Sequence, residues 1–142
     1  MKLVLTALLC TFGLAIGATF SFAGAPLPDV DSDGVPDEWD NCLVVPNAPP
    51  GPPGQLDSDI DGYGNCCDGD FNNDGAVNGA DFLLFGACFA AGTVPPADPN
   101  CDMNGDLAVN GADFLKFGAQ FALGVPGPSG LACAGVIPCT GV

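Results

Sequence analysis

Four short stretches of this chain place an oxygen-bearing side chain at every second position and follow it with a turn residue. That spacing limits the fold more than any other feature. The stretches are Asp29-Val-Asp31-Ser-Asp33-Gly34, Asp57-Ser-Asp59-Ile-Asp61-Gly62, Asp70-Phe-Asn72-Asn-Asp74-Gly75 and Asp102-Met-Asn104-Gly-Asp106-Leu107. Counted over twelve positions each, they hold sixteen of the seventeen acidic residues, and Asp98 alone falls outside. A merely solvated acidic segment has no reason to keep such a spacing. Regular structure should accordingly be scarce and local.

A hard dication such as Ca2+ takes roughly six to eight oxygens, which a turning loop supplies from positions 1, 3, 5, 7, 9 and 12, with Gly at 6 for the sharp turn. Loop one offers Asp29, Asp31, Asp33, the carbonyl of Val35, Asp37 and Asp40, and loop two offers Asp57, Asp59, Asp61, the carbonyl of Tyr63, Asn65 and Asp68. Loop three offers Asp70, Asn72, Asp74, the carbonyl of Ala76, Asn78 and Asp81, and loop four Asp102, Asn104, Asp106, the carbonyl of Ala108, Asn110 and Asp113. Position 12 is Asp throughout, where a longer Glu is usual, so the chain must close nearer the ion. Position 6 of loop four is Leu107, a costly residue for a left-handed turn, with Gly105 beside it available to shift that turn. Mg2+ suits such loops less, because it prefers a tight octahedron and keeps its waters.

The formal charge is −15, His is absent, and Lys2 and Lys116 are the only cations. A nucleic-acid partner is excluded by that balance, since a phosphate backbone needs clustered Lys and Arg. Unfilled, the carboxylates repel one another, and ordering should depend on the ion. Catalysis is not expected: without His no Ser-His-Asp arrangement exists, and the Asp pairs that glycoside hydrolysis would need are used as loop ligands.

Residues 1–23 read as an export signal, with Lys2, an apolar run and Ser21-Phe22-Ala23 at the end; cleavage is expected after Ala23, or earlier after Ala18. An uncleaved membrane anchor is the competing reading of that segment, and no other stretch is long and apolar enough to span. Eight Cys suit an oxidising, secreted setting, and loss of Cys10 leaves seven, so one thiol stays free or pairs between chains. A zinc site is disfavoured by the lack of His and of any C-x-x-C pair.

The segment Asp70 to Gly86 recurs as Asp102 to Gly118, and the segment from Asp29 returns from Asp57. Pro-rich spacers at 45–54 and 93–99 separate the loops. Phe82, Phe85 and Phe89, then Phe114, Phe117 and Phe121, predict two short amphipathic helices, which Gly79, Gly86, Gly111 and Gly118 weaken by about 1 kcal/mol each where they fall inside the helix. Val77 and Val109 are expected to pair as a short strand, with Phe82, Phe85, Phe114 and Phe117 packed beneath, Phe89 and Phe121 at the surface, and Trp39 and Tyr63 packed. The expected fold is small, loop-rich and mainly irregular, with two or more short α-helices and a tandem EF-hand-like loop-helix calcium unit, stapled by disulfides. Its divisions are a leader at 1–23, calcium repeats at 24–68, the loop-helix unit at 69–124 and a Gly/Pro/Cys tail at 125–142, where Cys133 and Cys139 can close a small loop.

At 70–124 the chain resembles a dockerin type I module through the pattern D-x-N-x-D-G-x-V-N-x-x-D, met in full by loop three and in all but Gly by loop four. At 29–68 it resembles thrombospondin type 3 repeats, through Asp29 to Cys42, Asn47, Gln55, and Asp57 to Asp68. The second resemblance implies a Cys42–Cys67 disulfide and leaves Cys66 unassigned. The first implies two antiparallel loop-helix units that dock onto a cohesin domain, in bacteria that often attach polysaccharide-degrading enzymes in this way. Partner-reading positions 10 and 11 are Gly79-Ala80 and Gly111-Ala112, identical in both halves, so two equivalent faces are expected. Two functions follow: a secreted docking module with a cohesin-like partner, or a surface or matrix element stiffened by calcium without a dedicated receptor.

Overall fold

Asn78 and Asn110 begin the two helices for the same reason. Each accepts a backbone N–H two residues on, from Ala80 at 2.9 Å and from Ala112 at 2.9 Å. Three residues on, Asp81 and Asp113 return the favour, accepting the N–H of Asn78 and of Asn110 at 2.8 Å each. These reciprocal caps satisfy donors that a helix start otherwise leaves open. The helices are α1, Gly79–Ala91, and α2, Gly111–Leu123. Both end on a left-handed glycine, Gly92 at φ +57° and Gly124 at φ +76°. The computed structural model describes residues 26–49 and 54–140, so the leader read at 1–23 and the Pro50 to Pro53 stretch of the first spacer lie outside the described residues.

The interior is small. Val77, Phe85, Cys101, Met103, Val109 and Phe117 are buried together, with Phe71 and Cys88 packed against them. Phe85 of α1 and Phe117 of α2 stack at 5.0 Å between centroids and 5° between planes, and Phe71 stacks on both. Full burial of a Phe contributes about 2–3 kcal/mol, so six such residues do not replace the staples. Disulfides join Cys42 to Cys67, Cys88 to Cys101 and Cys133 to Cys139. The first is the pairing implied by the thrombospondin resemblance. Cys66 is a buried free thiol beside the first bridge.

Three expectations are corrected. Among the described residues there is no strand, because the Val77 N–H that a ladder would use donates to the Gly124 carbonyl at 3.1 Å, where the end of α2 returns over loop three. Phe82 and Phe114 do not lie beneath the loops: Phe71 and Met103, from position 2 of loops three and four, occupy that space, and Phe82 and Phe114 stay about half exposed. Trp39 is likewise half exposed on a 3-10 turn, Asp37–Trp39.

The tail folds back along the first two loops. Gly127 N–H donates to Cys67, Gly130 N–H to Asp40 and Gly135 N–H to Asp61. Leu43 N–H donates to Pro128, and Cys139 N–H to Ile60 at 2.7 Å. Tyr63 lies against Gly127 so closely that any side chain there would meet its ring.

Candidate metal centre

The four loops are built on one hydrogen-bond plan. The position 6 N–H donates to Oδ2 of the position 1 Asp: Gly34 to Asp29 at 3.0 Å, Gly62 to Asp57 at 2.9 Å, Gly75 to Asp70 at 2.7 Å and Leu107 to Asp102 at 2.7 Å. The position 5 N–H donates to Oδ1 of the same Asp, at 3.1 to 3.3 Å in all four. The position 7 N–H donates to Oδ1 of the position 5 Asp at 2.8 to 3.0 Å, from Val35, Tyr63, Ala76 and Ala108. Every bond runs from backbone to carboxylate, which turns the side chains of positions 1 and 5 toward the concave side of the loop.

Positions 4 and 6 both take left-handed backbone in every loop: Ser32, Ile60, Asn73 and Gly105 at position 4, then Gly34, Gly62, Gly75 and Leu107 at position 6. Gly105 therefore does not shift the turn. It sits where the other loops tolerate a side chain, and Leu107 itself adopts φ +73°.

Position 12 closes each loop from the inside. Asp40, Asp68, Asp81 and Asp113 are all buried. Asp81 Oδ1 accepts the Asn72 N–H at 3.3 Å, and Asp113 Oδ1 accepts the Asn104 N–H at 3.1 Å, so the last residue of the loop holds its third. Asp40 Oδ1 accepts from Cys42 N–H and Gln55 Nε2. Position 9 differs between the halves. Asn78 and Asn110 cap helices and donate to the position 7 carbonyls of Ala76 and Ala108, whereas Asn65 turns away to Ser58 and the Pro99 carbonyl. Asp37 Oδ1 accepts the Val30 N–H.

The donor sets of loops one and two fit a hard cation. Carboxylate oxygens of Asp29, Asp31 and Asp33 lie within 4.8 Å of one another, as do those of Asp57, Asp59 and Asp61. Asp31 Oδ2 is buried with no hydrogen-bond partner. The protein has no cation to pair them with beyond Lys2 and Lys116, and a buried carboxylate without a counter-charge is costly. Burial raises the pKa of Asp31, Asp59, Asp70 and Asp102. It pushes Asp61 up to about 6 and Asp68 up to about 8, partly offset by the N–H groups of Tyr63 and Asp70.

Residues outside the oxygen spacing turn out to position it. Asn47 N–H donates to Asp33 Oδ2 at 2.7 Å, and Gln55 Oε1 accepts the Asn41 N–H at 2.8 Å. The thrombospondin resemblance named Asn47 and Gln55 without giving them a task. Nothing in the sequence pointed to the tail carbonyls and amides that hold loops one and two.

Part of the chain is similar to cartilage oligomeric matrix protein of Bos taurus, 53% identical over 60 residues, which is 35% of this chain and 7% of that protein. Thrombospondin-4-B of Danio rerio and thrombospondin-4 of Mus musculus are each 43% identical over 60 residues, covering 6% of their own length. The similarity thus spans under a tenth of each curated relative. No solved structure matches. Residues 68–118, which hold loops three and four, α1 and α2 as far as Gly118, match the Dockerin type I domain, and calcium, which such domains and thrombospondin type 3 repeats bind, is the ion of this chain.

Proposed function

We propose that this chain is a secreted, non-catalytic docking protein whose helix pair, ordered by calcium in loops one to four, binds a cohesin-like domain. The ligands are the twenty-four positions read from the spacing, from Asp29 to Asp113, with Asn65 engaging only if its amide leaves Ser58. Export of this protein, by the leader at 1–23, places it outside the cell or on its surface, in a bacterial polysaccharide-degrading assembly.

One observation carries the docking reading: α1 and α2 present two matching apolar pockets. The first, about 300 Å³, is lined by Phe82, Phe114, Phe117, Gly118 and Phe121, and the second, about 270 Å³, by Phe114, Phe82, Phe85, Gly86 and Phe89. Exchanging each residue for its repeat mate turns one list into the other. Exposure follows the same exchange, 48% against 47% for Phe82 and Phe114 and 73% against 75% for Leu83 and Leu115. A contiguous apolar face on so acidic a chain marks an interaction surface. Its two-fold character suits a partner that meets both helices at once.

The similarity to cartilage oligomeric matrix protein supports the second reading, a matrix or surface element stiffened by calcium. Calorimetry of the oxidised protein against a panel of cohesin domains, with calcium and with chelator, separates the two. A one-to-one complex that needs calcium, and that Phe82→Ser with Phe114→Ser abolishes, is expected. Calcium binding with no cohesin complex would leave the structural element.

A further inference from the structure

Loop two touches both halves of the helical unit. Asn73 Nδ2, at position 4 of loop three, donates to Asp59 Oδ2 at 3.0 Å. Asp70, which opens loop three, donates its N–H to Asp68 Oδ1 at 2.9 Å. Asn65 Nδ2 donates to the Pro99 carbonyl at 2.9 Å, in the 3-10 turn Pro99–Cys101 that leads directly into Asp102.

The junction itself has no slack. Gly69 is the single residue between loops two and three, and a Cβ there would lie 2.9 Å from Gln120 Cβ and 3.0 Å from Val77 Cγ1. The backbone between the loops is therefore pressed onto α2 and the core. Asp61 of loop two and Asp70 of loop three also line one cavity of about 300 Å³, with Tyr63 and Asn73. Loop one shares the tail with loop two, but its side-chain bonds beyond the loop run to Asn47 and Gln55 and not to the helical unit.

We propose that loop two controls the docking face: calcium held by loop two raises the calcium affinity of loops three and four, and so sets the calcium level at which the Phe face is ordered. This rests on the calcium-ordered docking reading and names its regulation. Filling loop two fixes Asp59 and Asp68, whose bonds hold Asn73 and Asp70, while Asn65, with its amide on Ser58, keeps its bond to the Pro99 carbonyl. The next ion then meets a loop already part-ordered, and ordering done by one ligand is not charged again to the second. It also offsets the repulsion between Asp61 and Asp70, which line the same cavity. Coupling of this kind is reciprocal, so filled helix loops tighten loop two by the same factor.

The test is a calcium titration of the oxidised protein followed by amide NMR. The N–H groups of Gly34, Gly62, Gly75 and Leu107 report the four loops separately, since each donates to the first carboxylate of its own loop. Asp57→Asn disables loop two at a residue whose bonds stay inside that loop. It is expected to shift the Gly75 and Leu107 midpoints to at least about fivefold higher calcium, while Asp29→Asn leaves them in place. Asn73→Gly removes the bridge to Asp59 without touching a ligand, suits the φ of +57° there, and is expected to weaken the Gly75 transition alone. Unchanged Gly75 and Leu107 midpoints in Asp57→Asn, or in Asn73→Gly if the first variant does not fold, would overturn the coupling while leaving the docking reading standing. No calcium response at any of the four amides in the parent protein would overturn both.

Discussion

Leu107 donates its N–H to Asp102 Oδ2 at 2.7 Å while holding φ at +73°. Gly75 makes the same bond to Asp70 at 2.7 Å from φ +86°. The turn of loop four is thus kept intact by a residue poorly suited to it, and the strain is local.

Left-handed backbone costs a residue with a Cβ about 1–2 kcal/mol, and Leu107 is mostly exposed, so little burial offsets that cost. Leu107→Gly is expected to raise the thermal midpoint and to lower the calcium midpoint of loop four several-fold. Gly75→Leu should do the opposite to loop three. Amide titrations of the two variants check this, and equal midpoints before and after either change would refute it.

Gly86 and Gly118 sit inside α1 and α2 with nothing within 4 Å of where a Cβ would be. Each costs its helix about 1 kcal/mol relative to Ala. Both also line the apolar pockets. Gly86→Ala with Gly118→Ala should therefore raise stability in calcium while reducing binding at the Phe face. Thermal melts and the fluorescence of anilinonaphthalene sulfonate read the two effects separately. A gain in both would mean that the probe does not use these pockets.

The loop turns were legible in the sequence because their bonding is local: the Asp74 N–H meets Asp70 Oδ1 and the Asn72 N–H meets Asp81 Oδ1 within twelve residues of chain. The helices were legible because Phe82, Phe85 and Phe89 recur at helical spacing, and the caps of Asn78 and Asp81 that start the first of them are equally local. Which Phe lies inside was not. Phe82 and Phe85 share one periodic face, and the choice between them depends on Phe71 and Met103, which enter from loop residues that alternation of ligands leaves unremarked. The seating of the tail was hidden for a different reason. It is made by backbone groups of Gly127, Pro128, Gly130 and Gly135 against distant loops, and backbone pairing carries no side-chain signature.

That seating predicts a sharp steric effect at Gly130. Its N–H donates to the Asp40 carbonyl at 2.9 Å, and a Cβ at this position would occupy the place of the Asp37 carbonyl oxygen. Gly130→Ala must push the tail off loop one, at a cost of about 1–3 kcal/mol for such overpacking. Hydrogen exchange should speed up at Leu43 and Gly130, whose bonds join tail and loop, while the amides of α1 and α2 keep their protection. Uniform loss of protection across the helices would show instead that the tail supports the whole fold.

Asp68 and Asp61 give the metal-free protein a pH dependence of definite sign. Both have their pKa raised from 3.8, Asp68 to about 8 and Asp61 to about 6, chiefly by burial. Between those limits the metal-free folded chain keeps protons that the unfolded chain has released, so the unfolded state binds fewer protons and stability falls as pH rises. The contribution is fully present below about pH 4 and is lost by about pH 8. Calcium requires the ionised forms, and so its affinity for loop two should rise over the same interval, with protons released on binding. Melting in chelator from about pH 5 to about pH 8 is expected to show a falling midpoint that Asp68→Asn flattens, and melting in excess calcium a rising one. A midpoint in chelator that stays flat with pH would mean that these carboxylates titrate as in the unfolded chain and that the loops open when the ion leaves.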